Sequence, residues 1–397
     1  MPDLPALFAA TWGGVPTLRI DAPGRVNLMG DHIDYNGLSV LPMALQRRVT
    51  LLLRPRMDPL IRIASAAPDH ESRQFMVGAT LAPFAGGDWG NYAKAAIQEL
   101  ARDGGHSRGF DALVHSDLPS AAGLSSSSAL VVACALAFLH ANETEMEPLD
   151  LAARMARAER YVGTRGGGMD QAICLGGKEG AACRIDFEPL RLACTLIPAD
   201  WTFVVAHSGV RAEKSGHARA AYNERATQCR EAIRALNGAL GHEAGRTWKE
   251  LLEEHEHGEL LALGERKLPP VMHLRFRHVV TEADRVARAE ALLRTGRLED
   301  FGGLLNESHE SLAHDYDVSI PQLDDLAAYA RAAGAAGARL TGAGFGGCVI
   351  ALCATGQAET LLRRLRDEFY GPRGLLDTAA TGLFAARAGH GARVRTV

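Results

Sequence analysis

Asp170 stands one residue beyond three glycines, Gly166 to Gly168, with Met169 between, in a segment that runs from Tyr161 to Gln171. Glycines let a backbone approach a ligand closely. Transfer of a phosphoryl group to a hydroxyl needs a carboxylate that positions or deprotonates the nucleophile, and cations on the phosphates. Asp170 is a candidate for that carboxylate, and Arg25 for the cation that keeps it ionised. Taken alone, the same segment also reads as an aspartate closing a turn. Nearer the N-terminus, Gly24 to Gly37 gathers Arg25, Asp31, His32 and Asp34 among glycines in what reads as a loop. A carboxylate accepts hydrogen bonds in a fixed plane, which suits the vicinal hydroxyls of a sugar. Asp, Asn and Gly also favour turns for local reasons, but this density of polar groups is costly to bury without a ligand. No second metal ligand lies at suitable spacing from His32, which argues against a metal role for it.

Two further segments have the residue types of an anion site. Pro119 to Leu130 carries Ala121, Ala122, Gly123 and four serines, Ser125 to Ser128, directly before an apolar helical run. Free N–H groups at a helix start point at an anion, and the macrodipole favours negative charge there. Small side chains let phosphate oxygens reach the backbone, and serine hydroxyls can donate to phosphate or ligate Mg²⁺. One serine suffices as an N-cap, so four in succession exceed what capping requires. The segment is not a Walker loop, because the G-x-x-x-x-G-K-[ST] spacing is missing. Thr341 to Cys348 is a glycine-rich turn between two strand-like runs. With no helix after it, it does not fit a dinucleotide fingerprint.

The elements that must hold these residues alternate in type. Strands are expected at 17–20, 49–54, 60–63, 110–115, 172–187, 203–207, 338–340, 348–352 and 382–388, with Ala-Pro-Gly at 22–24 as a turn. Helical spacing covers 90–102, 126–140, 149–162, 321–334 and 357–369, and residues 211–315 are mostly charged, amphipathic helical sequence. No internal repeat or low-complexity linker interrupts the chain. At 397 residues it exceeds what one core usually serves, so two α/β domains are expected, 1–195 and 196–397.

Composition narrows the class. Hydrophobic residues at 47% and charged residues at 23% suit a soluble globular protein, and a net charge of −4 gives no footing for nucleic acid. The seven cysteines are odd in number, scattered and free of C-x-x-C spacing. They suggest neither a zinc site nor a disulfide framework, and a reducing compartment. The N-terminus lacks the pattern of a signal peptide, and the longest apolar run, 129–139, is too short to span a bilayer. A cytoplasmic protein without membrane or nucleic-acid partners is expected.

Taken in order, these segments resemble the galactokinases within the GHMP small-molecule kinase superfamily. Gly24-Arg-Val-Asn-Leu-Met-Gly-Asp-His-Ile-Asp-Tyr-Asn is similar to the galactokinase signature, and Ser120-Ala-Ala-Gly-Leu-Ser-Ser-Ser and Gly342-Ala-Gly-Phe-Gly-Gly to the two nucleotide-side motifs. Asn306-Glu-Ser-His-Glu-Ser-Leu and the stretch from Asp315 to Asp324 are also similar. The resemblance spans about residue 18 to Val394. It implies an N-terminal mixed α/β domain and a C-terminal ferredoxin-like domain with inserted helices, with the active site between them. It implies ATP and Mg²⁺ as cofactors and a galactose-like sugar, phosphorylated at its anomeric hydroxyl. Asp170 and Arg25 are implied as catalytic, and Asp31, His32, Asp34 and Tyr222 as sugar-binding. Gly123, Ser125, Ser126, Ser127, Gly344 and Gly346 match the nucleotide motifs, Trp89 a residue near adenine, and Ser127 and Glu159 the Mg²⁺ ligands. Asp31 replaces the family's usual Glu, and Ala121-Ala122 a more glycine-rich loop. Other details lean toward the branch that includes N-acetylgalactosamine kinase. Such a kinase is the second enzyme reading, and a non-catalytic sugar sensor the alternative outside enzymes. Retention of Asp170, Arg25, Ser127 and Glu159 argues against the sensor.

Overall fold

In this computed structural model, which describes residues 3–105, 107–212, 217–242 and 245–397, a helix unread in the sequence comes first. This is α1 (Leu4–Trp12), capped by Asp3, whose carboxylate accepts from the Ala6 amide at 3.1 Å. Strand β1 then runs unbroken over Leu18–Met29, which corrects the turn expected at 22–24. Pro23 and Gly24 fall where the ladder to the next strand shifts register, between Pro23 and Arg25. A bulge tolerates proline because no ladder N–H is required of it. Gly24 is needed there, since a Cβ would lie 2.5 Å from Leu118 and 2.6 Å from the Leu124 carbonyl oxygen. Arg25 therefore projects from a strand rather than a loop.

The first half continues through β2 (Leu41–Pro55), β3 (Leu60–Ser65), β4 (Arg73–Met76), α2 (Gly90–Ala101), β5 (Phe110–Ser116), α3 (Ser126–Ala141) and α4 (Pro148–Ala158). The helix expected over 149–162 ends in a tighter 3₁₀ turn, Glu159–Val162. The strand expected over 172–187 is corrected to a helix, α5 (Met169–Gly176), followed by β6 (Ala181–Asp186), which pairs with β7 (Arg191–Leu196). Short apolar runs do not distinguish a buried helix from a strand by periodicity. Asp170 consequently sits in the first turn of a helix. Helix α3 is buried on nearly every face, as expected of a helix that is apolar all round.

The second half holds β8 (Trp201–His207), then α6 (His217–Leu240), α7 (Trp248–Glu254), α8 (His257–Lys267), α9 (Pro270–Thr295), α10 (Leu298–Glu310) and α11 (Pro321–Ala332). Residues 213–216 and 243–244 of the expected helical stretch lie outside the described residues. The chain closes with β9 (Gly337–Thr341), β10 (Cys348–Ala354), α12 (Ala358–Arg364), α13 (Leu376–Gly382), β11 (Leu383–Ala386) and β12 (Arg393–Thr396). The second sheet has the order β11-β8-β10-β9, all antiparallel. Numbered within this unit the order is 4-1-3-2 on a β-α-β-β-α-β path, the ferredoxin-like arrangement. Helices α6 to α11 are inserted between its first two strands.

The first sheet has the order β12-β1-β2-β5-β3-β4, so the last strand returns to pair with β1, Leu18 opposite Thr396. One apolar core extends from Ile20 through Val205 to Ala386 and joins the two halves. The expectation of no disulfide is corrected: Cys183 and Cys194 are bonded. They occupy directly paired positions of β6 and β7, a juxtaposition that appears only once the hairpin register is known. The other five cysteines are buried thiols.

Candidate active site

Arg25 and Asp170, 145 positions apart in the chain, meet at the floor of a cleft between the two halves. Arg25 Nε donates to Asp170 Oδ1 at 2.8 Å, a second guanidinium nitrogen lies 2.7 Å from the same oxygen, and a third donates to the Gly123 carbonyl at 2.6 Å. The Arg25 side chain is 5% exposed and that of Asp170 14%. A guanidinium this dry gains its place only through such charge-assisted bonds. The other carboxylate oxygen, Oδ2, accepts from Ser125 Oγ at 2.5 Å, with Ser128 Oγ at 3.4 Å. Ser125 is the residue before α3, yet its side chain makes no cap bond. It is directed to Asp170 instead, a role that its place in a serine run does not reveal. Ser128, the last of the four serines and outside the motif match that ended at Ser127, is fully buried beside it.

The three glycines before Asp170 have a steric cause. A Cβ on Gly167 would lie 2.2 Å from the Asp34 carbonyl carbon. That contact presses the Gly167 amide onto Asp34, whose Oδ2 accepts from it at 3.0 Å. Asp34 follows β1 in a short 3₁₀ turn, Asp34–Asn36. Its carboxyl is pushed up to about 6, chiefly by burial and then by the negative charge of Asp170. The Gly167 and Tyr35 amides and Arg25 pull in the opposite direction.

His32 lines the same cleft with both ring nitrogens engaged. Nε2 lies 3.2 Å from the Ala343 carbonyl oxygen and Nδ1 3.0 Å from the Tyr35 hydroxyl. Burial lowers its pKa to about 3, so the ring is neutral. A carbonyl only accepts, so the proton is on Nε2 and Nδ1 accepts from Tyr35. Tyr35 then accepts from Tyr316 at 2.6 Å, and Tyr316 from the Cys229 thiol at 3.1 Å. Tyr222, from α6, packs its ring 5.4 Å from that of His32, and burial raises its hydroxyl well above the usual phenol range.

Asp31 also lines the cleft, but its carboxylate is turned on protein donors. Oδ1 accepts from Asn27 Nδ2 at 3.0 Å, and Oδ2 from the Arg339 guanidinium and from the Gly342 amide at 3.3 Å. Arg339, on β9, has no exposed surface, and sequence reasoning missed it. It also donates to the Leu28 and Leu340 carbonyls at 3.2 and 2.8 Å and lies 3.4 Å from Glu282. A lone arginine amid the apolar strand residues of 338–340 was the available signal.

The phosphate-type segment and the glycine-rich turn meet backbone to backbone. A Cβ on Gly342 would lie 2.7 Å from the Gly123 carbonyl oxygen, and one on Gly347 2.9 Å from that of Ala122. Ala121, Gly123 and Ser125 all take positive φ, 50°, 71° and 60°, every second residue of a curled path, the backbone pattern from which anion nests are built. Ser126 and Ser127 form the first turn of α3. Gly344 and Gly346 are pressed on protein instead, with Cβ positions 2.2 Å from the Val318 carbonyl oxygen and 2.9 Å from that of Arg211. Neither lines the cleft. Trp89 also stands outside the cleft lining; its indole N–H donates to the Glu71 carbonyl at 3.0 Å and its ring stacks on His70 at 6.0 Å.

The cleft is lined by Arg25, Asp34, Glu159 and Asp170 from one half and Tyr222 and Ala343 from the other. Glu159 is 5% exposed. Its carboxylate and the Ser127 hydroxyl are hard oxygen donors of the kind Mg²⁺ takes, one or two from protein and the rest from water and phosphate.

The chain matches two models of one superfamily: the GHMP kinase N-terminal domain over residues 91–178 and the GHMP kinase C-terminal region over 289–371. Residues 6–55 match the galactokinase galactose-binding signature. A galactokinase of Roseiflexus sp. is 35% identical over 391 residues, 98% of this chain and 96% of the relative. One of Chloroflexus aggregans is 39% identical, over 87% of this chain and 86% of the relative. The crystal structure of Lactococcus lactis galactokinase complexed with galactose superposes with a TM-score of 0.88 at 29% identity, over 98% of both chains. The chain belongs to the galactokinase family.

Proposed function

We propose that this protein is an ATP-dependent kinase that transfers the γ-phosphoryl group to the anomeric hydroxyl of galactose. The observation that carries the reading is the Arg25–Asp170 pair, set beside Asp34 on one side and the curled 121–127 backbone on the other. The sugar's reacting hydroxyl meets Asp170, which orients it or takes its proton, while Arg25 holds the carboxylate and stabilises the charge that develops. Asp34 accepts from adjacent ring hydroxyls, including the axial one that separates galactose from glucose. Tyr222 and His32 wall the sugar. Because its carboxylate is already bonded to Arg339, Asn27 and Gly342, Asp31 acts at the sugar end by fixing that wall.

ATP places its phosphates on the backbone of 121–127, with Gly344 and Gly346 shaping the facing turn and Trp89 on the adenine side. Ser127 and Glu159 would hold Mg²⁺, which when bound neutralises phosphate charge. ATP dependence points to the cytoplasm. Among the described residues no helix is long and apolar enough to cross a membrane. We also propose a boundary near residues 195/196, with β12 returned to the first half.

An ATP-coupled assay with galactose, N-acetylgalactosamine and glucose, with the product identified as the 1-phosphate, tests the reading. Galactose should show the highest kcat/KM. A higher value for N-acetylgalactosamine would make the protein a kinase of that sugar. Sugar binding without transfer would make it a sensor.

A further inference from the structure

Beyond the catalytic cleft, the connection between α6 and α7 gathers a second set of metal-ligating side chains. Ligand atoms of His242, Glu254 and His255 all lie within 4.8 Å of one another. We infer that these three residues form a binding site for a divalent transition-metal ion of the zinc type. Two imidazoles and a carboxylate are a donor set that zinc accepts, leaving a fourth position for water. Ligand atoms at about 2.0–2.1 Å from a tetrahedral ion stand about 3.3 Å apart, so modest side-chain rotation brings them together.

The hydrogen bonding around His242 fixes which nitrogen is offered. Asn237 Oδ1 accepts from the Arg246 amide at 2.9 Å, and its Nδ2 donates to the Arg246 carbonyl at 2.9 Å. The amide orientation is thereby set, and Oδ1 is the atom facing His242 Nδ1 at 3.3 Å. An amide oxygen only accepts, so Nδ1 carries the proton and Nε2 presents a lone pair. A histidine ligand backed on its far nitrogen by such an acceptor is oriented and more basic. Asn237 is itself 6% exposed, so this support is rigid.

His255 supplies the second, independent observation. Its Nε2 is buried and has no hydrogen-bond partner, a state that native structures rarely leave unexplained. The ring lies 5.9 Å from that of His242, nearly parallel at 28°. Glu254 is the last residue of α7, and the chain turns extended at His255, φ −131° and ψ 147°. The start of α7 is fixed by a reciprocal cap between Thr247 and Glu250. Glu254 Oε1 meets Arg246 at 3.2 Å, and the carboxylate's second oxygen remains for an ion.

The ion would cross-link the turn after α6 to the end of α7. None of the three residues lines the cleft. Asn237 is fifteen positions beyond Tyr222 on α6 (237 − 222), about 22 Å along the helix at 1.5 Å per residue. The site is therefore separate from the Mg²⁺ position.

Metal-free protein titrated with Zn²⁺ against a chromogenic chelator should bind one equivalent per chain. His242→Gln and His255→Gln should each weaken that binding ~tenfold or more. Kinase activity in zinc-free buffer, unchanged in both variants, confirms that they fold. Absence of stoichiometric zinc in the wild type overturns the site without recourse to any variant. Retention of full affinity in the folded double variant overturns it as well.

Discussion

Replacing Asp34 with Asn should remove the acid limb of the pH–rate profile. In the free protein the Asp34 carboxyl is raised from 3.8 to about 6, first by burial and then by Asp170. At ~1.36 kcal/mol per pH unit, that rise corresponds to ~3 kcal/mol in favour of the protonated form. Only the ionised form offers the full acceptor capacity that ring hydroxyls need. Because kcat/KM reports groups of the free enzyme, its value for galactose should fall below pH about 6, the pKa of Asp34. The Asn variant should lose this limb. On the alkaline plateau it should be weaker by ~1–3 kcal/mol or more, the cost of an unmade hydrogen bond, and its galactose-to-glucose ratio should narrow. The stability sign is opposite to that of a salt-bridged aspartate. A folded-state pKa above the unfolded one means that the native state binds the proton more tightly, so stability falls as pH rises between about 4 and 6. Unfolding free energies of the Asn variant relative to wild type should therefore shift in the variant's favour from pH 4 to pH 7, by up to ~3 kcal/mol. An acid limb that stays near pH 6 in the variant, or an unaltered sugar ratio, refutes the role given to Asp34.

Four other substitutions probe different parts of the site. Asp170→Asn should abolish turnover while leaving ATP binding nearly intact, because the carboxylate acts on the nucleophile. Activity within ~tenfold of wild type, ~1.4 kcal/mol in barrier, would remove it from the chemistry. Ser127→Ala and Glu159→Gln should each raise the Mg²⁺ concentration needed for half-maximal rate, and unchanged curves for both would place the ion elsewhere. Gly167→Ala forces a Cβ to 2.2 Å from the Asp34 backbone. It should cost ~1–3 kcal/mol in stability and raise the galactose KM, both read by denaturant unfolding and steady-state kinetics. Wild-type values on both counts would mean that the Gly167–Asp34 contact is not needed.

Arg25, Asp34, Asp170 and the serine run were legible as candidates for chemistry because paired charges and repeated hydroxyls beside glycines exceed what turns and a single cap require. The order of the motifs was enough to indicate the fold class. Local periodicity also placed most strands and helices of the first half, since amphipathic spacing is a property of a single element. It failed at 172–187, where a buried helix and a buried strand carry the same apolar composition, and at Pro23, where a bulge permits what a regular ladder forbids. Partnership was another matter. That Ser125 bonds Asp170 rather than capping its helix, that Asp31 is held by a buried Arg339, and that Cys183 faces Cys194 are outcomes of long-range register. A side chain's hydrogen-bond partner depends on which backbone is packed opposite it, and sequence spacing carries no such information across 45, 308 or even 11 residues. The sequence alone determined which residues can do the chemistry; tertiary packing decided which of them face the cleft and which are spent on holding it in shape.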